Sequence, residues 1–305
     1  MQGWETAKLT RYRAYGLEIE SERALPLRPC AAGGEADLRV AALPRSRRER
    51  VRGPDRRDLE VSPEGWTLRY DNRDGDWMAY DYHEPDRLLS VSGSLPWEVR
   101  SAPLGGLVWG VFLGLRRRTL LHGACVRLGG AGLALLGASG HGKSTLAAAL
   151  LLRGGGLVSE DLLVPAAAPS GWIVEPGAPS LHLLEDAYAM LRGPGQKAPT
   201  LRDGKYRLVL SPDDGGPVPL AAICLLDPPE PRPKALLTRL SGRRALLGIL
   251  EHLYGSAWIR PPDEADLRLC AALVADVPVH ALSRPWNLEG VPETADLLRR
   301  RFSSR

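Results

Sequence analysis

The chain has 305 residues, 44% of them hydrophobic and 25% charged, with a formal net charge of +4. That length predicts about two domains of ordinary soluble composition. So small a net charge gives no ground for a nucleic-acid partner, and no apolar segment reaches the length of a membrane span.

The start, Met1-Gln2-Gly3-Trp4-Glu5, lacks the basic-then-apolar pattern of a secretion signal, so a cytoplasmic location is expected. The four cysteines (Cys30, Cys125, Cys224, Cys270) lie far apart, without metal-ligand spacing. Cys125 and Cys224 sit in apolar runs and read as buried, reduced thiols.

In Arg11 to Pro26, Leu17, Ile19 and Ser21 alternate with acids, which predicts a half-exposed strand, and Asp37 to Val40 a second. Pro44 to Arg57 is the most basic local segment, with Arg45, Arg47, Arg48, Arg50, Arg52, Arg56 and Arg57. It reads as a solvated loop; the sharper alternative is an arm that attracts an anionic peptide or nucleotide. Leu59 to Val61, Trp66 to Tyr70, Trp77 to Tyr82 and Leu88 to Val91 read as strands, the first three separated by turn residues. Residues 1–95 are therefore expected to form a small, mostly β domain whose aromatics are core and cross-strand pairs. The second domain is expected over 96–305.

Pro103 to Leu115 carries apolar residues at helical spacing, and Arg116-Arg117-Arg118 suits a helix C-terminus. Leu120 to Val126 is an apolar strand that includes His122, a candidate site residue because it lies just upstream of a phosphate-binding pattern. Ala131 to Leu136 is a short buried strand. Gly137-Ala138-Ser139-Gly140-His141-Gly142-Lys143-Ser144 then matches the phosphate-binding loop at every fixed position, and Thr145 opens an Ala- and Leu-rich helix to Leu152. Glycines let successive backbone N–H groups turn toward phosphate oxygens, and the helix start adds its positive dipole end. Lys143 is expected to reach the β- and γ-phosphates and Ser144 to hold Mg²⁺.

Gly154-Gly155-Gly156 ends that helix, and Leu157 to Val164 is a strand with two adjacent acids, Glu160 and Asp161. Adjacent strand residues face opposite ways, but at a strand end both can turn toward the loop. One would hold Mg²⁺ and the other would take the proton of an attacking hydroxyl, with the assignment left open between them. Glu175, and Lys197, Lys205 and Arg207 around an expected loop at Gly193 to Gly204, are weaker candidates. Strands are expected at Leu220–Leu226, Leu236–Leu240 and Val277–Leu282, and helices at Ser241–Tyr254, Pro262–Val274 and Pro292–Phe302. The fold class is α/β, or α+β, with a mixed sheet.

The loop alone does not name a reaction. A Ras-like GTPase needs an Asn-Lys-x-Asp element, and neither Asn72 nor Asn287 is followed by lysine. Leu240-Ser241-Gly242-Arg243 is a partial echo of a transporter-ATPase signature, but the strand ending in Asp227 precedes it, which is the wrong order.

The wider pattern of Leu121-His122-Gly123-Ala124, the loop Gly137 to Ser144, and the acid pair after a Gly-rich helix end resembles the HPr kinase/phosphorylase superfamily, related to ATP-dependent phosphoenolpyruvate carboxykinase. Tyr15-Gly16-Leu17 with Ser21 and Pro26, and Val277 to Leu282, look like a branch of HPr-kinase-related proteins found in lasso-peptide gene clusters. There such kinases phosphorylate the C-terminal serine of the precursor peptide. The resemblance implies a P-loop kinase domain in which Gly137, Ala138, Ser139, Gly140, His141, Gly142, Lys143, Ser144 and Thr145 bind ATP. It also implies that Ser144 and Asp161 lie near Mg²⁺, and that Glu160, Asp161, Lys143 and His122 form the catalytic set. Glu160 stands where the family has the first aspartate of an Asp-Asp pair. No Arg-Gly-Leu-Gly-Ile-Ile-Asp-like segment comes after Glu175, which argues against HPr itself as acceptor. The expected partner is a peptide or protein with a serine hydroxyl, with neither nucleic acid nor membrane involved. Related kinases are often homo-oligomers. The other readings are a small-molecule kinase of the same fold and a nucleotide-gated peptide-binding protein that transfers nothing.

Overall fold

Alternating burial along the first strands sets the architecture of the N-terminal unit. The computed structural model describes residues 9–31, 33–45, 57–71, 75–191, 196–199, 204–210, 216–228, 230–285 and 287–303, so residues 46–56 of the arginine-rich stretch lie outside the described residues. The chain divides into two compact units, Met1–Val108 and Trp109–Arg305.

The first unit contains β1 (Thr10–Ala14), β2 (Leu17–Ser21), β3 (Arg28–Pro29), β4 (Leu38–Arg45), β5 (Arg57–Ser62), β6 (Gly65–Asp71), β7 (Trp77–His83), β8 (Leu88–Gly93) and α1 (Trp97–Arg100). Its strands form one sheet in the order β3-β1-β2-β4-β8-β7-β6-β5. The one strand expected near residue 17 is half of a hairpin: β1 and β2 pair antiparallel across Tyr15 and Gly16, both at positive φ. Ile19, Leu38, Val40, Leu68, Tyr80, Leu89 and Val91 are fully buried. Trp66 stacks on Tyr82, its direct cross-strand partner, with ring centroids 5.9 Å apart.

Residues 97–105 belong to this unit, past the boundary expected at 95, because their polar groups close its backbone. Trp97 Nε1 donates to Ala24 O (2.9 Å), and the buried Arg100 guanidinium donates to Leu43 O (3.0 Å) and Val91 O (3.2 Å). Tyr80 Oη donates to Arg100 O at 2.7 Å.

The unit boundary falls within α2 (Leu107–Leu115). The second unit continues with β9 (Leu121–Leu128), β10 (Ala131–Leu136), α3 (Lys143–Leu151), β11 (Gly156–Leu163), β12 (Pro165–Ala168), β13 (Gly171–Val174), β14 (Ser180–Leu183) and α4 (Glu185–Leu191). It then runs through β15 (Gln196–Pro199), β16 (Tyr206–Val209), β17 (Val218–Leu226), β18 (Leu236–Leu240), α5 (Gly242–Leu250), α6 (Glu264–Asp276), β19 (Val279–Ser283) and α7 (Gly290–Phe302).

The main sheet has the order β11-β9-β10-β17-β13-β12, with β19 beside β17 and β18 beside β19. It is mixed: β10, β17 and β19 are parallel neighbours, while β9 runs antiparallel to β10 and β11. Both faces are covered, which is why β10 and β17 read as continuous apolar runs. Leu133 and Leu135 face a core shared with α3 and α7. Ala134 and Leu136, one residue out of phase, face the core of α5 and α6. Alanines at 147, 148 and 149 are buried, so α3 lies close against the sheet.

Two sequence expectations change here. The loop expected at Gly193 to Gly204 contains β15, which pairs antiparallel with β16; β14 pairs on the other side of β16, making a separate three-stranded sheet. This pairing is between distant segments and leaves no local pattern. Glu160 and Asp161 lie inside β11, not at its end.

Candidate active site

The phosphate-loop sequence joins the C-terminal end of β10 to the first turn of α3, at the edge of the sheet where parallel strands β10, β17 and β19 all end. In open α/β sheets that edge is where ligands bind. The loop turns through Gly140 (φ 83°) and Gly142 (φ 71°), conformations that a side chain would strain. Neighbouring strand ends hold it in place. His141 Nδ1 donates to Leu226 O, the last residue of β17, at 3.0 Å. The buried Arg284 guanidinium, just past β19, donates to the loop carbonyl of His141 and to Asp227 O (2.7 Å). Ser283 Oγ donates to Asp227 Oδ2 at 2.6 Å. Lys143 is buried, and its ammonium donates to Gly137 O (2.8 Å) and Ala138 O (3.1 Å). Ala138, Ser139 and Gly140 form the exposed crest.

The acid pair reaches the site by a local break in β11. Asp161 has φ 62°, a left-handed residue inside a strand, so it and Glu160 do not simply alternate faces. Buried Ser159 Oγ bridges the break by donating to Leu162 O at 2.6 Å. Opposite Asp161 in the ladder lies Gly123 of β9. A Cβ there would come within 2.5 Å of Leu136 Cδ2 and 2.6 Å of Leu135 O, so only glycine lets β9 pass β10 this closely. This accounts for the glycine after His122. His122 Nδ1 donates to Asp161 O at 3.1 Å and so fixes the backbone of the break.

Glu160 is buried, and its carboxylate is taken up by one partner, His182 of β14. Oε2 accepts from His182 N (2.9 Å) and Nδ1 (2.8 Å), and Oε1 accepts from His182 N (3.1 Å). Asp161, by contrast, has a side chain 52% exposed, with Oδ2 3.9 Å from His182 Nδ1. One donor atom each from Glu160, Asp161 and His182 lie within 4.8 Å of one another; with Glu160 and His182 bonded to each other, the Asp161 carboxylate is the donor left open to a cation.

The electrostatics tie loop and acids together. Burial lowers the pKa of Lys143, while the charges of Asp161 and Glu160 oppose that shift. Burial also pulls His182 down, but the charge and hydrogen bond of Glu160, with Asp161, outweigh it and leave the ring above its ordinary value. His122 is lowered by burial and then by Lys143. Burial, followed by the charges of Lys143, His122 and His141, lowers His252 to about 4. Lys205 adds positive field at both Lys143 and His122, and Arg207 does so at His182, its direct partner across β14 and β16.

Of the residues singled out in the sequence, Gly137 to Thr145 form the loop and the helix start, and Lys143, Glu160 and Asp161 lie in one another's field. His122 bonds the Asp161 backbone. Glu175 comes directly after β13, its N–H on Val164 O. The side chain of Lys197 lies outside the described residues. Sequence reasoning missed His182, Arg284, Ser283, Asp227 and His252. His182 had a weak signal, a histidine between two leucines in an apolar run, without the nearness to the loop that singled out His122. Arg284 had none.

No family model matches the chain, and no curated protein matches it in sequence. Among solved structures it is similar to the HPr(Ser) kinase/phosphatase from Coxiella burnetii, at 14% identity over 60% of this chain and 95% of that one, with a TM-score of 0.32.

Proposed function

We propose that this protein is an ATP- and Mg²⁺-dependent kinase that transfers the γ-phosphoryl group to a serine-type hydroxyl of a peptide. The acceptor suggested by the sequence resemblance is the C-terminal serine of a lasso-peptide precursor. The observation that carries the reading is the pairing of a buried Lys143, beneath a loop with two left-handed glycines, with a carboxylate centre whose charges reach that lysine. Nucleotide binding alone needs the loop but not the acids.

The residues fit the groups they would hold. Gly140 and Gly142 turn the loop as a phosphate cradle requires, and Lys143 can exchange two carbonyl partners for phosphate oxygens. Ser144 and the exposed carboxylate of Asp161 are hard oxygen donors of the kind Mg²⁺ takes. When bound, Mg²⁺ neutralises charge on the β- and γ-phosphates. The protein's own share is positioning and charge stabilisation: the loop amides and Lys143 hold the phosphates, and the centre formed by Glu160, Asp161 and His182 takes up the hydroxyl proton.

The test is mass spectrometry of the protein with ATP, Mg²⁺ and a panel of serine-ended peptides, HPr included. A phosphoryl gain on a peptide, absent with Lys143→Ala, supports the reading. A gain on HPr alone overturns the peptide assignment, and no gain on any acceptor overturns the peptide-kinase reading.

A further inference from the structure

We propose that His182 is a catalytic residue of this site: its Nε2 receives the proton of the attacking hydroxyl, and Glu160 orients it. This rests on the kinase reading above and deepens it by naming the proton-accepting atom.

Three observations carry the inference. First, Glu160 is shut off from an acceptor by burial, with its oxygens engaged by His182. Its side chain is 4% exposed, and both oxygens already accept from His182. Second, His182 is held in one orientation through two separate groups. Its ring Nδ1 and its backbone N–H both donate to the same carboxylate, so the ring cannot swing without breaking the bond at Nδ1. With Nδ1 carrying the hydrogen, Nε2 is the acceptor nitrogen. Among the described residues Nε2 has no hydrogen-bond partner, and the side chain is 34% exposed. Third, the ring stands 3.9 Å from the exposed carboxylate of Asp161, and the ladder Asp161–Gly123–Leu136 sets that carboxylate level with the last residue of β10 before the loop.

A carboxylate that fixes an imidazole tautomer and leaves its far nitrogen to take a proton from a hydroxyl is a known division of labour. It also gives a reason for glutamate at 160. The carboxylate must cross from β11 to β14, and the additional methylene supplies the reach.

In the step itself, the acceptor oxygen bonds to the γ-phosphorus as the bond from that phosphorus to the β–γ bridging oxygen breaks. The electron pair leaves with ADP. The hydroxyl proton passes to His182 Nε2, and Glu160 stabilises the imidazolium that forms.

The experiment uses the full chain and measures ATP turnover with the serine-ended peptides and with water as acceptor. Nucleotide affinity is measured separately with a fluorescent ADP analogue. His182→Ala should lower kcat by about 10²- to 10⁴-fold, the range for loss of a general base. The KM for ATP and analogue affinity should stay within about threefold, since uniform binding is untouched. His182→Gln retains the backbone donor to Glu160 and should fold normally, yet be as slow as the alanine variant. Added imidazole should restore part of the turnover of His182→Ala and none of that of Lys143→Ala. If His182→Ala turns over like wild type, the proposal is wrong. If it loses turnover together with nucleotide affinity and imidazole restores nothing, His182 is structural and the proposal is equally wrong. If wild type binds nucleotide but transfers phosphate to no acceptor, water included, the kinase reading falls and this proposal with it.

Discussion

Replacing Lys143 by methionine keeps most of the side-chain volume and removes the charge. In the structure its ammonium is buried and makes two hydrogen bonds, to Gly137 O and Ala138 O. Losing them leaves two carbonyls short of a partner, but the cost of burying an ammonium also disappears, so the variant should fold with little change in Tm. Its effect should appear in nucleotide binding. A charge-assisted contact to phosphate is worth about 1.5–3 kcal/mol, or roughly 10- to 150-fold in affinity. At an ATP concentration about 100 times the wild-type Kd, binding stabilises the fold by about 2.7 kcal/mol; a Kd raised about 100-fold leaves about 0.4 kcal/mol. For a unit the size of Trp109–Arg305, 1 kcal/mol moves Tm by about 2–4 °C. The ATP-induced rise in Tm should therefore drop from roughly 5–11 °C to about 1 °C. Thermal unfolding by tryptophan fluorescence, with and without ATP and Mg²⁺, measures this without any acceptor. An Lys143→Met protein that keeps the full rise would refute the assignment of the loop.

Three further outcomes are expected. Arg284→Met removes the donors to His141 O and Asp227 O, which tie the loop to the end of β17, a cost of about 2–4 kcal/mol that relief from burying the guanidinium offsets in part. Its Tm should fall by at most roughly 5–15 °C, and an unchanged melt would show that the loop is held by other means. Asp266 is buried, which pushes its pKa up, but the bonds from Arg260, the Asp263 N–H and Thr119 outweigh this and leave it lowered. A lowered folded value means stability present above the unfolded pKa of about 3.9 and lost as pH falls through the folded one. Urea unfolding of Asp266→Asn should show a loss at pH 7 and a flatter acid limb, and curves parallel to wild type would contradict the assignment. Buried Cys125, Cys224 and Cys270 are all pushed up to about 12, chiefly by burial, whereas Cys30 is partly exposed. A thiol reagent should therefore label one cysteine in the native protein and four after unfolding, and fast native labelling of Cys125 or Cys224 would count against the buried core.

The sequence made the phosphate loop legible because its chemistry is contiguous: one strand, eight residues and one helix carry it. Most β strands of the first unit were legible, Leu17–Ser21 by its alternation, but β1 and β3 were not. Glu160 and Asp161 were found by proximity to the loop, but their geometry was not. A left-handed aspartate inside a strand, bridged by Ser159, has no period to reveal it. His182 stands 21 residues beyond Asp161 and is delivered by a strand of a different sheet. Arg284 arrives from the far end of the chain, across the end of β17. What the sequence did not disclose is the part of the site assembled by tertiary pairing between distant strands.

The break at Asp161 also bears on how this protein tolerates change. A left-handed non-glycine residue costs roughly 1–2 kcal/mol, and glycine in its place would relieve that strain. The substitution that best suits the backbone would therefore remove the carboxylate that faces the open side of the site. Screens that select on expression or heat resistance alone would be drawn toward this exchange, enriching well-folded chains that lack the Asp161 carboxylate. Stabilised variants of this protein therefore have to be sorted by turnover at the same time, with position 161 held fixed.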